Sequence, residues 1–176
     1  MSVPRTLVLT LLAPDRPGIV ESLADLVQRH QGNWLESRLA HLSGHFAGIV
    51  HLQMPEAQTA AFEADLQQLE QSSQLRCQLA LSEPGGSDGP LVPLSCIGQD
   101  RPGIVFAITD VLHDFGINVE SLDSRRLSAP MSGESLFEAH FSVRLPEVLD
   151  LEALEARLCQ IGDELMLDVN LQSAAG

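Results

Sequence analysis

Lysine is missing altogether: all ten basic residues are arginine, set against 24 Asp and Glu, for a formal charge of −14. Without a lysine ammonium the chain can build neither a Schiff base nor a Walker-type phosphate loop. Both halves carry an excess of acid, and an acidic surface repels a phosphate backbone, so no direct nucleic-acid binding is expected. Cysteine is sparse as well. Cys77, Cys96 and Cys159 are odd in number and lack any CxxC spacing, the pattern of reduced thiols filling core or surface rather than a disulfide framework. No run is long and apolar enough to span a membrane, and Met1 to Arg5 lead into a strand-like run without a signal-peptide pattern. The expected compartment is the cytoplasm, with no membrane partner.

Catalytic patterns are equally scarce. No nucleophile is set beside a base, and Ser37 and Ser121 precede no elbow motif, so no catalytic residue and no enzyme activity are expected. No cofactor motif stands out. His41, His45 and His51 fall in a hairpin where strand parity would place all three on one face. They form an incomplete ligand set even with Glu36, and the second half has no counterpart, so they read as exposed strand histidines and no metal is expected.

What the chain does have is a repeat. Asp15-Arg16-Pro17-Gly18-Ile19-Val20 recurs letter for letter as Asp100-Arg101-Pro102-Gly103-Ile104-Val105, at an offset of 85. The apolar positions after it keep that offset: Leu23, Leu26 and Val27 fall on Ile108, Val111 and Leu112, one face of an amphipathic helix. Further on, Gly32-Asn33-Trp34-Leu35-Glu36-Ser37 matches Gly116-Ile117-Asn118-Val119-Glu120-Ser121 at an offset of 84, which implies one residue gained or lost near the helix end. Asn33 and Asn118 alone keep the spacing of 85.

Each copy reads in the same order. A strand (Leu7 to Leu12; Leu91 to Ile97) leads through the Asp-Arg-Pro-Gly turn into the helix, and a second strand begins near Leu35 or Val119. A third strand runs from about Phe46 to Met54, or Leu136 to Leu145, and a second helix carries Phe62, Leu66 and Leu69, or Leu151, Leu154, Leu158 and Ile161. Alternation then returns in Leu75, Cys77, Leu79 and Leu81, answered by Leu165, Leu167, Val169 and Leu171, which places Cys77 on the core face of a last strand. This βαββαβ order predicts an α+β fold: two ferredoxin-like domains, each with a four-stranded antiparallel sheet. The expected boundaries are 1–82 and 91–176, with residues 83–90 as linker because Pro84, Gly85, Gly86, Gly89 and Pro90 interrupt regular structure. A sheet with helices on one face needs cover for the other face or its edges, so the copies should pack together or dimerise. Arg125, Arg126 and the segment through Gly133 have no counterpart in the first copy and read as an exposed loop.

The repeated turn sits where a strand ends and a helix begins, so several amides lack partners. Asp15 and Asp100 are placed to cap, and Pro17 and Pro102 preset φ for the first turn. Gly18 and Gly103 keep the backbone bare, for which there are two explanations. One is close packing or an unusual φ. The other is a ligand carboxylate meeting the helix N-terminus, its ammonium accepted by Asp15 or Asp100, with the amide of Asn33 or Asn118 serving either group. Valine at Gly103 would cost the fold only about 0.5 kcal/mol unless that glycine has positive φ.

The motif, the Gly/Asn pair before the next strand and the βαββαβ order resemble the ACT domain, a small regulatory amino-acid-binding module. Two copies with no catalytic domain attached resemble the glycine cleavage system transcriptional repressors. The resemblance implies a homodimer that senses an amino acid, glycine or one like it, and acts through a protein transcription activator. It also implies a ligand held between paired units by Asp15, Arg16, Pro17, Gly18 and Ile19 with Asn33, and by Asp100, Arg101, Pro102, Gly103 and Ile104 with Asn118. Many amino-acid-binding members have Asn where Asp15 and Asp100 stand, and an acid there disfavours a carboxylate at close range. A feedback subunit of a metabolic enzyme, and a dimerisation module without ligand, are the alternative readings.

Overall fold

The computed structural model describes residues 3–82, 89–128 and 133–172. The chain divides into two compact units, Met1–Pro84 and Gly85–Gly176. Residues 83–88 of the expected linker and 129–132 of the expected loop lie outside the described residues. The first unit runs β1 (Pro4–Pro14), α1 (Ile19–Arg29), β2 (Asn33–Leu42), β3 (His45–Pro55), α2 (Glu56–Ser73) and β4 (Arg76–Leu81). The second repeats it as β5 (Leu91–Gln99), α3 (Ile104–Asp114), β6 (Asn118–Ser128), β7 (Ser135–Arg144), α4 (Leu151–Leu165) and β8 (Leu167–Leu171). The sheets are antiparallel, in the orders β2-β3-β1-β4 and β6-β7-β5-β8. These are two ferredoxin-like folds. Among the described residues no helix is long and apolar enough to cross a membrane.

Alternation decides which face is covered. Leu7, Leu9 and Leu11 of β1 and Val50, Leu52 and Met54 of β3 turn toward the helices, where Leu23, Leu26 and Val27 of α1 and Phe62 and Leu66 of α2 complete a core. Val92, Leu94, Cys96, Ala139, Phe141 and Val143 do the same beneath α3 and α4. Cys77 packs against the first core as its strand position implied, and burial, reinforced by Glu70, pushes its thiol up to about 12.

The helix ends correct one expectation. His30 and Phe115 close α1 and α3, Gln31 (φ 57°) and Gly116 (φ 67°) follow in the left-handed region, and Asn33 and Asn118 each open a strand. Between them the amides of Gly32 and Ile117 donate to Val27 O and Leu112 O at 2.8 and 2.9 Å. The offset of 85 is therefore unbroken, and it continues through matching bulges at Leu35 and Glu120. Gly32 stands in the place of Ile117, not of Gly116, and no residue has been gained or lost. A consequence is testable. Gln31 occupies a conformation that costs an L-residue about 1–2 kcal/mol, partly offset by the entropy a glycine loses on folding. Gln31→Gly is expected to stabilise the protein by about 0.5–1 kcal/mol in urea unfolding.

Two more expectations change. Arg125 and Arg126 are not in a loop: β6 continues through both, paired with Glu138 and Phe137 of β7. The three histidines do not share a face either. His45 and His51 sit opposite Pro14 and Val8 on the open side, whereas His41 sits opposite Phe46 on the helix side, because the Ser43-Gly44 turn connects different strands and parity does not carry across it.

Candidate functional site

Both Asp-Arg-Pro-Gly segments form the same turn. Gly18 has φ 90° and ψ −1°, and Gly103 has φ 94° and ψ −2°, values of the third position of a type II turn, where the preceding position favours proline. Each glycine is itself the helix N-cap, and neither cap has a side-chain hydrogen bond. Asp15 and Asp100 therefore do not cap, correcting the expectation drawn from their position. They lie three residues ahead of the cap, and the type II turn carries the chain past them. The prolines likewise precede the helix rather than forming its first turn.

Ser22 N donates to Gly18 O and Ala107 N to Gly103 O, both at 2.9 Å, so the amides of the residues between start their helices without intrahelical acceptors. A Cβ built on either glycine meets nothing within 4 Å. The space a side chain on either glycine would take is open, and close helix packing does not explain the glycines; the positive φ does. Around the first turn lies a shallow recess of about 200 Å³ lined by Asp15, Arg16, Gly18, Ile19, Val20, Glu21 and Phe46.

The two turns differ in charge. Asp15 N donates to Gly44 O at 2.9 Å, and its carboxylate lies 3.5 Å from His41 Nε2; Glu21 adds an acid in the first turn of α1. Asp100 N donates to Ser135 O at 2.9 Å, and its carboxylate is met by Arg126 Nε at 2.7 Å and by the Ser135 hydroxyl at 3.4 Å. Arg126 Nη2 also donates to Ser135 Oγ at 3.0 Å, and α3 has no acid in its first turn. An anion approaching the second turn meets a paired aspartate; at the first it meets two carboxylates.

The asparagines are elsewhere. Asn33 pairs with Gln53, and Gln53 with Thr6, near the start of β1, while Asp15 follows the other end of that strand. Asn118 pairs with Arg144, and Arg144 with Leu91, at the start of β5. Nine residues of extended chain separate each asparagine's level from its turn, a distance of about 25–30 Å. Within a unit, then, the turn residues Asp15 to Ile19, and likewise Asp100 to Ile104, come together, and Asn33 and Asn118 do not join them. Asn118 Nδ2 donates instead to Glu120 Oε1 at 3.2 Å.

Sequence reading missed two groups. Arg126 reads as loop in the sequence, and only the β6–β7 register brings it to Asp100. His30, 8 % exposed, was not singled out. Its Nε2 lies 3.0 Å from Asp65 Oδ2, its Nδ1 3.3 Å from Gln58 Oε1, and its ring meets Phe62 edge-on, tying the end of α1 to α2 just before Asn33. The signal was Phe115 at the same place in the other copy, which marks a core position.

Comparisons with known proteins agree with the fold. Residues 5–79 and 94–163 each match the ACT domain family. The crystal structure of an unknown protein from Galdieria sulphuraria superposes with a TM-score of 0.83 at 26% identity, covering 98% of this chain and 100% of that one. A provisionally assigned glycine cleavage system transcriptional repressor superposes with a TM-score of 0.71 at 20% identity, covering 97% and 98%. No curated protein matches the chain.

Proposed function

This chain belongs to the ACT domain family, as two such domains in tandem, and we propose that it is an amino-acid-responsive regulatory protein rather than an enzyme. The observation that carries this reading is the repeated turn, whose left-handed glycine has open space on its side-chain side at the start of α1 and α3, where the first amides lack intrahelical acceptors. Such amides favour a carboxylate. The aspartates beside them, and an asparagine from a second ACT unit, supply groups for the ammonium and the remaining oxygen. Each asparagine is too far from its own turn to do this, so the ligand would need two ACT units; the protein is further read as a homodimer. The second turn is the stronger candidate, because Arg126 offsets the charge of Asp100.

The finer reading is a cytoplasmic regulator of glycine cleavage genes that acts through a protein activator. It is supported by the full-length likeness to a provisionally assigned repressor of that system and by a charge of −14 that suits an indirect route. In a gel-shift assay at physiological salt the purified protein should leave duplex DNA unshifted, since DNA affinity comes from Lys and Arg neutralising phosphates. Deleting its gene should raise glycine-cleavage transcription. Sequence-selective, sub-micromolar DNA binding by the protein alone contradicts the indirect route, and unchanged transcription contradicts the repressor reading.

A further inference from the structure

Laid over one another at the offset of 85, the two turns are built from the same parts with two exchanges. Asp15 and Asp100 donate their amides to the same place of the hairpin beside them, Gly44 O and Ser135 O. The side chain that meets each carboxylate also comes from one position of the fold. It is His41 of β2, opposite Phe46, in the first unit, and Arg126 of β6, opposite Phe137, in the second. The second exchange lies in the first turn of the helix, where Glu21 of α1 answers to Phe106 of α3.

Arginine keeps its charge at every pH a protein withstands, whereas histidine is the side chain whose charge changes between about pH 5 and 8. Around His41, Asp15 and Arg16 of the turn and Glu21 of α1 line one recess with Phe46, the residue opposite it. Arg38 of its own strand and His45 of β3 fall on the other face of the sheet by parity. With the imidazole neutral, two acids stand against one base beside the first amides of α1, and a proton on His41 balances them. At the second turn Asp100 is set against Arg101 and Arg126 whatever the pH. We propose that His41 is a proton gate on the first turn: a carboxylate binds there when His41 is charged and is disfavoured when it is neutral, while Arg126 keeps the second turn receptive throughout.

The gate rests on the reading of the turns as carboxylate sites, so two probes are used: acetate, a carboxylate without an ammonium, and glycine. Each would be titrated into the full chain at about pH 5.5 and about pH 8, following by NMR the amides of residues 19–21 and 104–106. Acetate should bind the first turn at least about threefold more tightly at the lower pH. It should bind the second turn equally at both, which makes that turn the internal control for the protein's overall charge. By linkage, acetate should move the titration of the His41 ring to higher pH by the same factor. His41→Arg should free the first turn of its pH dependence, and Arg126→His should confer one on the second. Both side chains are more than half exposed, and circular dichroism checks that the variants fold. The profile with acetate but not with glycine keeps the gate and counts against glycine as the ligand. Silence of both probes at both turns overturns the carboxylate reading along with the gate. A first turn that stays silent while the second responds, one that responds alike at both pH values, or a dependence that folded His41→Arg retains overturns the gate alone.

Discussion

Gly103→Val is expected to destabilise the protein by about 2–3 kcal/mol, far more than the cost of valine in an ordinary helix. The cost is not a clash, since a Cβ there meets nothing within 4 Å. It comes from φ 94°, a region that a β-branched residue essentially never enters. Gly18→Val should behave alike at φ 90°. Asparagine tolerates left-handed backbone much better, so the order of loss in urea unfolding should be Val, then Ala, then Asn. A valine variant as stable as the asparagine one would mean that the turn does not hold the glycine left-handed.

The second large effect is a gain. In a thermal-shift screen of the full chain against the twenty amino acids, at least one should raise the melting temperature, because a ligand that binds only the native state adds its binding energy to stability. At a hundredfold excess over its dissociation constant that energy is about 2.7 kcal/mol. For units this small it corresponds to a rise of about 10 °C or more. Small α-amino acids are the expected hits, because the recess at the first turn is shallow and the space over both glycines is open. A screen without any shift favours the reading of the chain as a dimerisation module.

Much of the fold was legible because the repeat presents each element twice. Leu23, Leu26 and Val27 against Ile108, Val111 and Leu112 mark one helix face in two contexts, and the alternation through Leu79 and Val169 marks the last strands. The helix end was misread because letter matching set Gly32 on Gly116. Backbone geometry sets Gln31 there instead, and a glycine's letter does not say whether its φ is positive. The histidines were misassigned for a related reason, since parity holds along one strand and is reset by a turn.

The site was less legible. The motif identified the turn, yet Asp15 and Asp100 looked like caps because a type II turn and a capping turn share the same composition. The remoteness of Asn33 and Asn118 could have been deduced: a strand running one way and a helix returning bring the chain back to the start of that strand. The pairing of Arg126 with Asp100 could not, because it depends on a register across a hairpin whose length differs between the copies.

The central claim is that the left-handed turns bind an amino acid, and calorimetric titration tests it most directly. Wild type and the Gly18→Asn/Gly103→Asn double variant would be titrated with the strongest hit, with circular dichroism confirming that both are folded. Asparagine keeps the backbone but fills the open space on the glycine's side-chain side, so the account predicts saturable binding to wild type and at least about a tenfold loss in the variant. Undiminished affinity in the folded double variant would contradict it and leave the repeated turns as structural punctuation alone.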